Sequence, residues 1–308
     1  MQANNTLVKS DEKLTFSRYM SDDKVKNAIA GTIGKENQQR FAAAIISAVS
    51  TNPALQECEN KSILSAAFLG EALKLSPSPQ LGQYYLVPFN DKKKGCKVAQ
   101  FQLGYKGYIQ LAIRSGYYKK INVVSIKNGE LIKYDPLSED IEVNLIEDDE
   151  QREQTETIGY YAMFEYQNGF KKTLYWSKKK MLSHADKYSA AFNKDSYEKL
   201  IKGEIPSSEL WKYSSFWYKD FDGMAYKTML RQLISKWGIM SIDMQEAYDK
   251  DMATINEDGT FTFIENEPII EPQEPIVDEH VKTVDEVPQI EIKEDGTQGE
   301  SIVDEFFN

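Results

Sequence analysis

Residues 100–116, QFQLGYKGYIQLAIRSG, join a predicted strand to a predicted helix and therefore indicate the class of fold. Within residues 104–115, Tyr108, Leu111 and Ala112 recur at the spacing of one helix face. A glycine follows directly, and glycine is the usual residue just past the end of a helix. A strand that passes straight into a short helix indicates a fold that mixes α and β structure.

Three pairs of predicted strands surround this unit. They are residues 84–89 with 98–103, residues 121–127 with 131–134, and residues 157–165 with 170–176. The first pair flanks a loop that contains Lys92, Lys93 and Lys94, which gives it a cationic tip. The second pair flanks Asn128-Gly129, the dipeptide most typical of a tight hairpin turn. Each pair therefore predicts an antiparallel β-hairpin.

Helical patterns stand on both sides of the hairpins. The predicted helices are residues 38–49 and 60–75 before the hairpins, and a helix capped by Ser177, residues 208–221 and residues 222–237 after them. We therefore predict an α+β fold. It has a helical N-terminal unit, a small β-sheet of hairpins around a central helix, C-terminal helices and a disordered acidic tail.

The charges divide the chain more sharply than its overall balance suggests. The whole chain carries 48 acids and 37 bases, a net charge of −11. Residues 251–308 hold 17 of the acids and two of the bases, a net of −15, which leaves 31 acids and 35 bases, a net of +4, in residues 1–250. We therefore predict a flexible lead-in over residues 1–35, a mildly basic folded body over residues 36–250, and a disordered acidic tail over residues 251–308.

Composition excludes several classes of protein. The longest apolar runs fall far short of the roughly 18–20 residues that span a bilayer, so neither a transmembrane helix nor a membrane partner is expected. Two cysteines, Cys58 and Cys96, cannot form a disulfide framework and favour a reducing cytoplasm. Two histidines are few for a zinc site, and GTIGK at residues 31–35 lacks the spacing of a phosphate-binding loop. We expect no cofactor and no catalytic residues.

Cations and aromatic rings alternate densely over residues 92–133. This stretch holds ten bases, one acid and several aromatic side chains, among them Tyr105, Tyr108 and Tyr118. Cations neutralise phosphates and rings accept unstacked bases, so this composition suits single-stranded nucleic acid. Lysines at hairpin tips can also serve solubility alone, and tyrosines can pack against sheets, so both interpretations stay open at this point.

A second cationic group lies in the last predicted helix. Lys227 and Arg231 are four residues apart and therefore share a face, beside the hydroxyl of Thr228. Such a face can bind a phosphate. The aromatic residues nearby, Trp217 among them, are more typical of a core than of a ligand platform.

The chain resembles the RecT family of phage and prophage single-strand annealing proteins. The resemblance rests on GQYYLVPF at residues 82–89, on the GYKG-to-RSG block within residues 100–116, and on MAYKTMLR at residues 224–231. It covers about residues 25–245. It implies a non-catalytic protein that anneals complementary single strands without ATP in phage homologous recombination, in the cytoplasm of a bacterial host. It also implies that residues 36–250 form the annealing, DNA-binding and oligomerisation domain.

The same resemblance implies the partners: single-stranded DNA, the annealed duplex intermediate, and further copies of the chain in a ring or helical filament. A phage exonuclease and a host single-strand-binding protein are also implied. The residues that we predict to contact DNA are Lys97, Lys106, Arg114, Lys227 and Arg231 for phosphates, Gln100 and Thr228 as neutral hydrogen-bonding groups, and Tyr105, Tyr118 and Trp217 for stacking or groove walls.

Two other functions are weighed against annealing. The body could be an adaptor that recruits a nuclease or replication protein and binds DNA without pairing strands. The acidic run at residues 147–150 could instead hold Mg²⁺ in a nuclease. The acidic tail could be a solubilising, disordered extension. Its last residues 304–308, DEFFN, raise two other hypotheses, that the tail recruits partner proteins, as the tips of bacterial single-strand-binding proteins do, or that it competes with DNA for the basic surface.

Overall fold

The computed structural model describes residues 15–92, 94–255 and 260–263, and the α+β prediction is confirmed over them. Helices and small antiparallel sheets pack around one apolar core. The predicted disorder of residues 264–308 lies outside the described residues. None of the helices in these ranges is long and apolar enough to cross a bilayer.

The structure opens with a group of helices that begins earlier than predicted. They are α1 Phe16–Met20, α2 Asp23–Ile33, α3 Lys35–Ser50 and α4 Asn60–Ala72. The prediction of a loose lead-in up to residue 35 is therefore wrong for residues 16–33. Asp22 caps α2, and Phe16, Met20 and Ile29 are buried in the core. Packing against α3 stabilises the short helices α1 and α2.

The first predicted hairpin and the central helix are confirmed. Strand β1, Tyr84–Asp91, pairs antiparallel with β2, Cys96–Leu103, and helix α5, Tyr105–Ser115, follows after a single glycine. Gly116 ends α5 with a φ of +74°, a left-handed conformation that favours glycine. This unit places the GYKG segment at the start of α5.

The middle of the chain forms two further sheets. Its elements in chain order are β3 Tyr118–Lys127, β4 Leu131–Asp135, β5 Asp140–Val143, α6 Asp149–Gln154, β6 Thr157–Tyr166 and β7 Lys171–Ser177. The three-stranded sheet has the order β3-β6-β7, and β4 pairs with β5 as a separate hairpin. The β6–β7 hairpin was predicted, whereas the predicted pairing of β3 with β4 is wrong.

Glu130 is buried in the turn between β3 and β4, where these two strands separate. Its carboxylate is fully buried and accepts hydrogen bonds from Arg152, from the backbone N–H of Lys127 and from that of Ile146. Burial alone would raise the pKa of Glu130, but these hydrogen bonds hold it below its usual value. The acidic segment thus folds back under β3, which pairs with β6 instead.

The C-terminal part surrounds one long buried helix. Its elements are α7 Lys178–Tyr188, α8 Lys194–Ile201, α9 Phe216–Lys219, α10 Phe221–Trp237, α11 Ile242–Asp249, β8 Ala253–Ile255 and β9 Phe261–Phe263. Helix α10 packs against α5 and β6. The helix predicted over residues 208–221 is divided into a 3₁₀ turn, Ser207–Lys212, and the short α9.

The acidic tail does not begin at residue 251 as predicted. Asp251, Ala253 and Thr254 are buried, and the backbone N–H of Met252 donates to the carbonyl oxygen of Phe101 at 2.9 Å. Strand β8 packs against β2. The first residues of the predicted tail are therefore part of the folded body.

Candidate nucleic-acid interface

The GYKG segment is held by close backbone packing at the start of α5. A Cβ atom at Gly104 would lie 2.2 Å from the carbonyl oxygen of Gly82, and one at Gly107 would lie 2.1 Å from that of Gln83. Both positions therefore require glycine. The close approach fixes the first turn of α5 against the loop before β1 and leaves the side chain of Lys106 on the surface.

Lys106 is one of the predicted DNA contacts that lie on the surface. Its side chain is exposed and forms no ion pair with any residue that the structure describes. Its ammonium lies 6.0 Å from the ring centre of Tyr105, which is half-buried and meets Tyr226 edge-on at 5.4 Å. Leu81 and Ile109 line a shallow cavity beside Lys106. The exposed ammonium can bind a phosphate of DNA while a partly exposed ring beside it stacks on the base of the same nucleotide.

Lys97 and Gln100 both lie on β2, with different exposures. Lys97 pairs with Glu57, and this hydrogen bond raises the pKa of the lysine. Gln100 is buried, and its side-chain oxygen accepts a hydrogen bond from the amide of Gln102 at 3.2 Å. Lys97 is therefore a surface cation whose charge is already paired with a carboxylate, while Gln100 is held within the sheet.

Arg114 joins two helices. Its guanidinium donates to the carbonyl oxygens of Leu73, at 2.5 Å, and Lys74, at 3.2 Å, at the C-terminal end of α4. A cation at this position satisfies carbonyls that have no partner within the helix and complements the helix dipole. Arg114 thus has a structural role, which its position in the sequence motif did not reveal.

The structure brings Lys227 and Arg231 together, around a carboxylate that the sequence analysis assigned to the tail. Asp251 accepts from Lys227 at 3.0 Å and from Arg231 at 2.9 Å. Lys227 is buried, and Arg231 is half-buried against the ring of Tyr248. The hydroxyl of Thr228 donates to the carbonyl oxygen of Met224 at 2.9 Å. These groups already have partners, and phosphate contact by them stays a prediction.

Tyr118 and Trp217 are core residues. The hydroxyl of Tyr118 donates to the carbonyl oxygen of Ile239 at 2.8 Å, and its ring packs edge-on against Phe164. Trp217 is buried against Phe192 and Phe221. Their rings support the fold, so stacking of bases on them is a prediction that requires local opening.

Helix α7 carries a cationic face that the sequence analysis did not assign. Lys180, His184 and Lys187 follow one another at i, i+4 and i+7 and therefore share a face. The ammonium of Lys180 lies 4.4 Å from the ring centre of Trp176, and His184 lies between the rings of Trp176, at 5.3 Å, and Tyr188, at 4.6 Å. The spacing within KKKMLSHADK, residues 178–187, was the available signal.

Positive charge accumulates around His184. Burial lowers its pKa to about 4, helped by the nearby charges of Lys180, Lys187 and Arg231. Burial likewise lowers the pKa of Lys180, together with the charge of Lys236 on α10. The charged groups that shift the His184 pKa are all cations, and one of them, Arg231, is paired with Asp251.

The acidic run considered for Mg²⁺ caps a helix. Asp148 accepts a hydrogen bond from the backbone N–H of Gln151 at 2.7 Å, and Asp149 and Glu150 occupy the first turn of α6, where the helix dipole favours acids. In the ranges that the structure covers, no three His, Cys, Asp or Glu side chains are grouped as metal ligands. The run thus has a structural explanation.

Comparison with known proteins identifies the family. The model of the RecT family matches residues 39–264, and the chain therefore belongs to the RecT family. It is 37% identical to the uncharacterized protein YqaK of Bacillus subtilis (strain 168) over 260 residues, which cover 82% of this chain and 80% of YqaK. It is 31% identical to protein RecT of Escherichia coli (strain K12) over 131 residues, which cover 42% of this chain and 48% of RecT.

Membership of the RecT family indicates single-strand annealing recombination, with binding of single-stranded DNA and assembly of several copies. Proteins of this family are annealing proteins rather than classical enzymes. The predicted resemblance is thus confirmed at the level of the family.

Proposed function

We propose that this protein anneals complementary single strands of DNA without ATP during phage homologous recombination. The observation that carries the proposal is the family match over residues 39–264, which includes the whole GYKG-to-RSG block and α10. The exposed Lys106 and the cationic face of α7 support it with a surface suited to phosphates.

The physical mechanism needs no catalytic group. Pairing of complementary strands is downhill once their backbones are neutralised and their bases are held unstacked. Contacts to phosphates carry no sequence information, so base pairing selects the partner strand. Matching strands then stay together, while mismatched ones dissociate.

We propose further that the active form is a ring or a helical filament in which a basic groove continues from one copy to the next. A single body of this size covers few nucleotides, so strand alignment over a useful length requires several copies. A phage exonuclease that produces single strands and a host single-strand-binding protein are the expected partners, in the cytoplasm of a bacterial cell.

The test is an annealing assay with two labelled complementary oligonucleotides, without ATP and with EDTA present. We expect the protein to accelerate pairing, while a non-complementary pair stays single-stranded. Absence of acceleration would contradict the proposal. Acceleration that requires Mg²⁺ or ATP, or degradation of the strands when Mg²⁺ is added, would also contradict it.

The adaptor function is the second candidate. The exposed apolar side chains of Ile201, Leu210 and Trp211, which lie near one another in the sequence, could contact another protein. An adaptor would bind single strands in the same assay without accelerating their pairing.

A further inference from the structure

The folded body carries a positively charged surface that is not part of the family motifs. It is formed by Lys180 and Lys187 of α7 and Lys236 of α10, beside the rings of Trp176 and Trp237, and is called here the α7–α10 cationic surface. Three elements, β7, α7 and α10, contribute to it. It is therefore a product of the tertiary fold.

The lysines of this surface differ from others on the body in having no carboxylate partner. Lys97, Lys119 and Lys172 form ion pairs with Glu57, Glu165 and Glu139. Lys180, Lys187 and Lys236 form none with any described residue, although all three are exposed. An unneutralised cluster is available for an external anion.

The cluster is unfavourable for the isolated chain. Lys178, Lys179 and Lys180 occupy the first turn of α7, where the helix dipole favours negative charge. Lys178 is paired with Glu156 at 3.6 Å, whereas Lys179 and Lys180 form no ion pair with a described residue. Burial is the main cause of the lowered pKa of Lys180 and of His184, and the neighbouring cations lower both further. An anion bound here would relieve both costs, which is the electrostatic property of a binding site.

The aromatic rings beside these lysines favour a strand of nucleic acid over a small anion as the ligand of this surface. Trp237 is 39% exposed, and the ammonium of Lys236 lies 5.9 Å from its ring centre. The ammonium of Lys172 lies 4.3 Å from the same ring centre but is paired with Glu139. A nucleotide of single-stranded DNA offers its phosphate to the lysine and its unstacked base to the accessible ring.

We propose that the α7–α10 cationic surface binds the sugar–phosphate backbone of single-stranded DNA, with Trp237 as a stacking platform. This inference rests on the proposed function and adds a binding site to it. The site lies outside the GYKG block and depends on charge rather than on base sequence.

The test uses the full chain with Lys180, Lys187 and Lys236 all replaced by Gln, and measures affinity for dT and mixed-sequence oligonucleotides as a function of salt. Each lost phosphate contact on a single strand lowers the slope of log K against log salt by about 0.7. We expect a slope less steep by about 2 and an equal loss for both oligonucleotides.

The matched control replaces three exposed lysines elsewhere, Lys24, Lys199 and Lys202, by Gln, for the same change in net charge. The control should keep the wild-type slope. An unchanged slope in the first variant, or an equal decrease in both variants, would overturn the inference. Circular dichroism and thermal unfolding of both variants establish that the fold is intact.

Failure of this site and failure of the proposed function have separate outcomes. If the wild-type protein anneals strands and the first variant keeps its slope, annealing stands and the site is wrong. If the wild-type protein binds without annealing while the slope decreases, the site stands and annealing is wrong. A Trp237→Ala variant should weaken binding with little change in slope, because stacking releases no counterion.

Discussion

The ammonium of Lys227 lies 3.0 Å from the buried carboxylate of Asp251, 24 residues further along the chain. The same carboxylate also accepts from Arg231 at 2.9 Å and from the backbone N–H of Leu103 at 2.9 Å. Asp251 thus connects α10, the end of β2 and the segment before β8. The hydroxyl of Tyr108 is a fourth donor at 3.5 Å, and a buried carboxylate with these four donors fixes the relative position of the elements that carry them.

Replacing Asp251 by Ala should destabilise the protein by about 3–5 kcal/mol, because a buried Lys227 would lose its counter-charge. The free energy of unfolding in urea measures this. Asp249→Ala is the control, since Asp249 is exposed two residues earlier, and its effect should stay within about 0.5 kcal/mol. Equal stability of the two variants would refute a structural role for Asp251.

Lys106 and Arg114 lie on the same helix, and we expect their substitution by Gln to have different consequences. Lys106→Gln should lower affinity for single-stranded DNA across all sequences without changing the urea midpoint, because Lys106 is exposed and has no described ion pair. Arg114→Gln should cost about 1.5–3 kcal/mol of stability through its lost hydrogen bonds to Leu73 and Lys74. The reverse pattern would contradict both assignments.

Gly107 should not tolerate alanine, even though alanine is the better helix former. The added Cβ would lie 2.1 Å from the carbonyl oxygen of Gln83, so backbone must move, at a cost of about 1–3 kcal/mol. Gly31 in α2 is the matched control, because its added Cβ meets nothing within 4 Å. Gly31→Ala should raise stability by up to about 1 kcal/mol. Thermal unfolding of the two variants decides.

His184 should report on DNA binding through its pKa. In the free protein we expect a pKa of about 4, and bound phosphates beside Lys180 and Lys187 should raise it. An NMR titration with and without dT oligonucleotide measures the change, and a His280→Gln background leaves one imidazole signal. No rise at saturating DNA would place the strand elsewhere.

The same shift makes folding depend on pH. The folded-state pKa of His184 lies below the ordinary value of 6.5, so folding favours the neutral imidazole. The stabilisation is complete above about pH 6.5 and is lost as the pH falls towards 4. His184→Gln should remove this part of the pH dependence of unfolding.

Elements with local signals could be predicted from the sequence. The β1–β2 and β6–β7 hairpins contain glycine in the turn between their strands. Helices α5 and α10 have regular apolar spacing and are each followed by a glycine. Such signals lie within a few neighbouring residues. The family resemblance was read from the same segments.

What could not be predicted depends on contacts between distant residues. Strand β3 pairs with β6 and the buried Glu130 with Arg152, 22 residues away, although Asn128-Gly129 indicates a local hairpin. The partner of Lys227 could not be identified, because Asp251 lies in a segment whose composition resembles a disordered tail. The cationic face of α7 was visible as a spacing, but its meaning required Lys236 from another helix.

The position of Asp251 has a practical consequence for shortening the chain. The charge composition changes at residue 251, while the folded body continues through β8 to at least Ile255. A chain cut at residue 250 would lose a structural counter-ion, and its misfolding could be mistaken for a function of the acidic extension. A deletion that begins after residue 263 removes most of the acids of the acidic tail and leaves Lys227 paired with Asp251. It therefore isolates the effect of the tail on DNA binding.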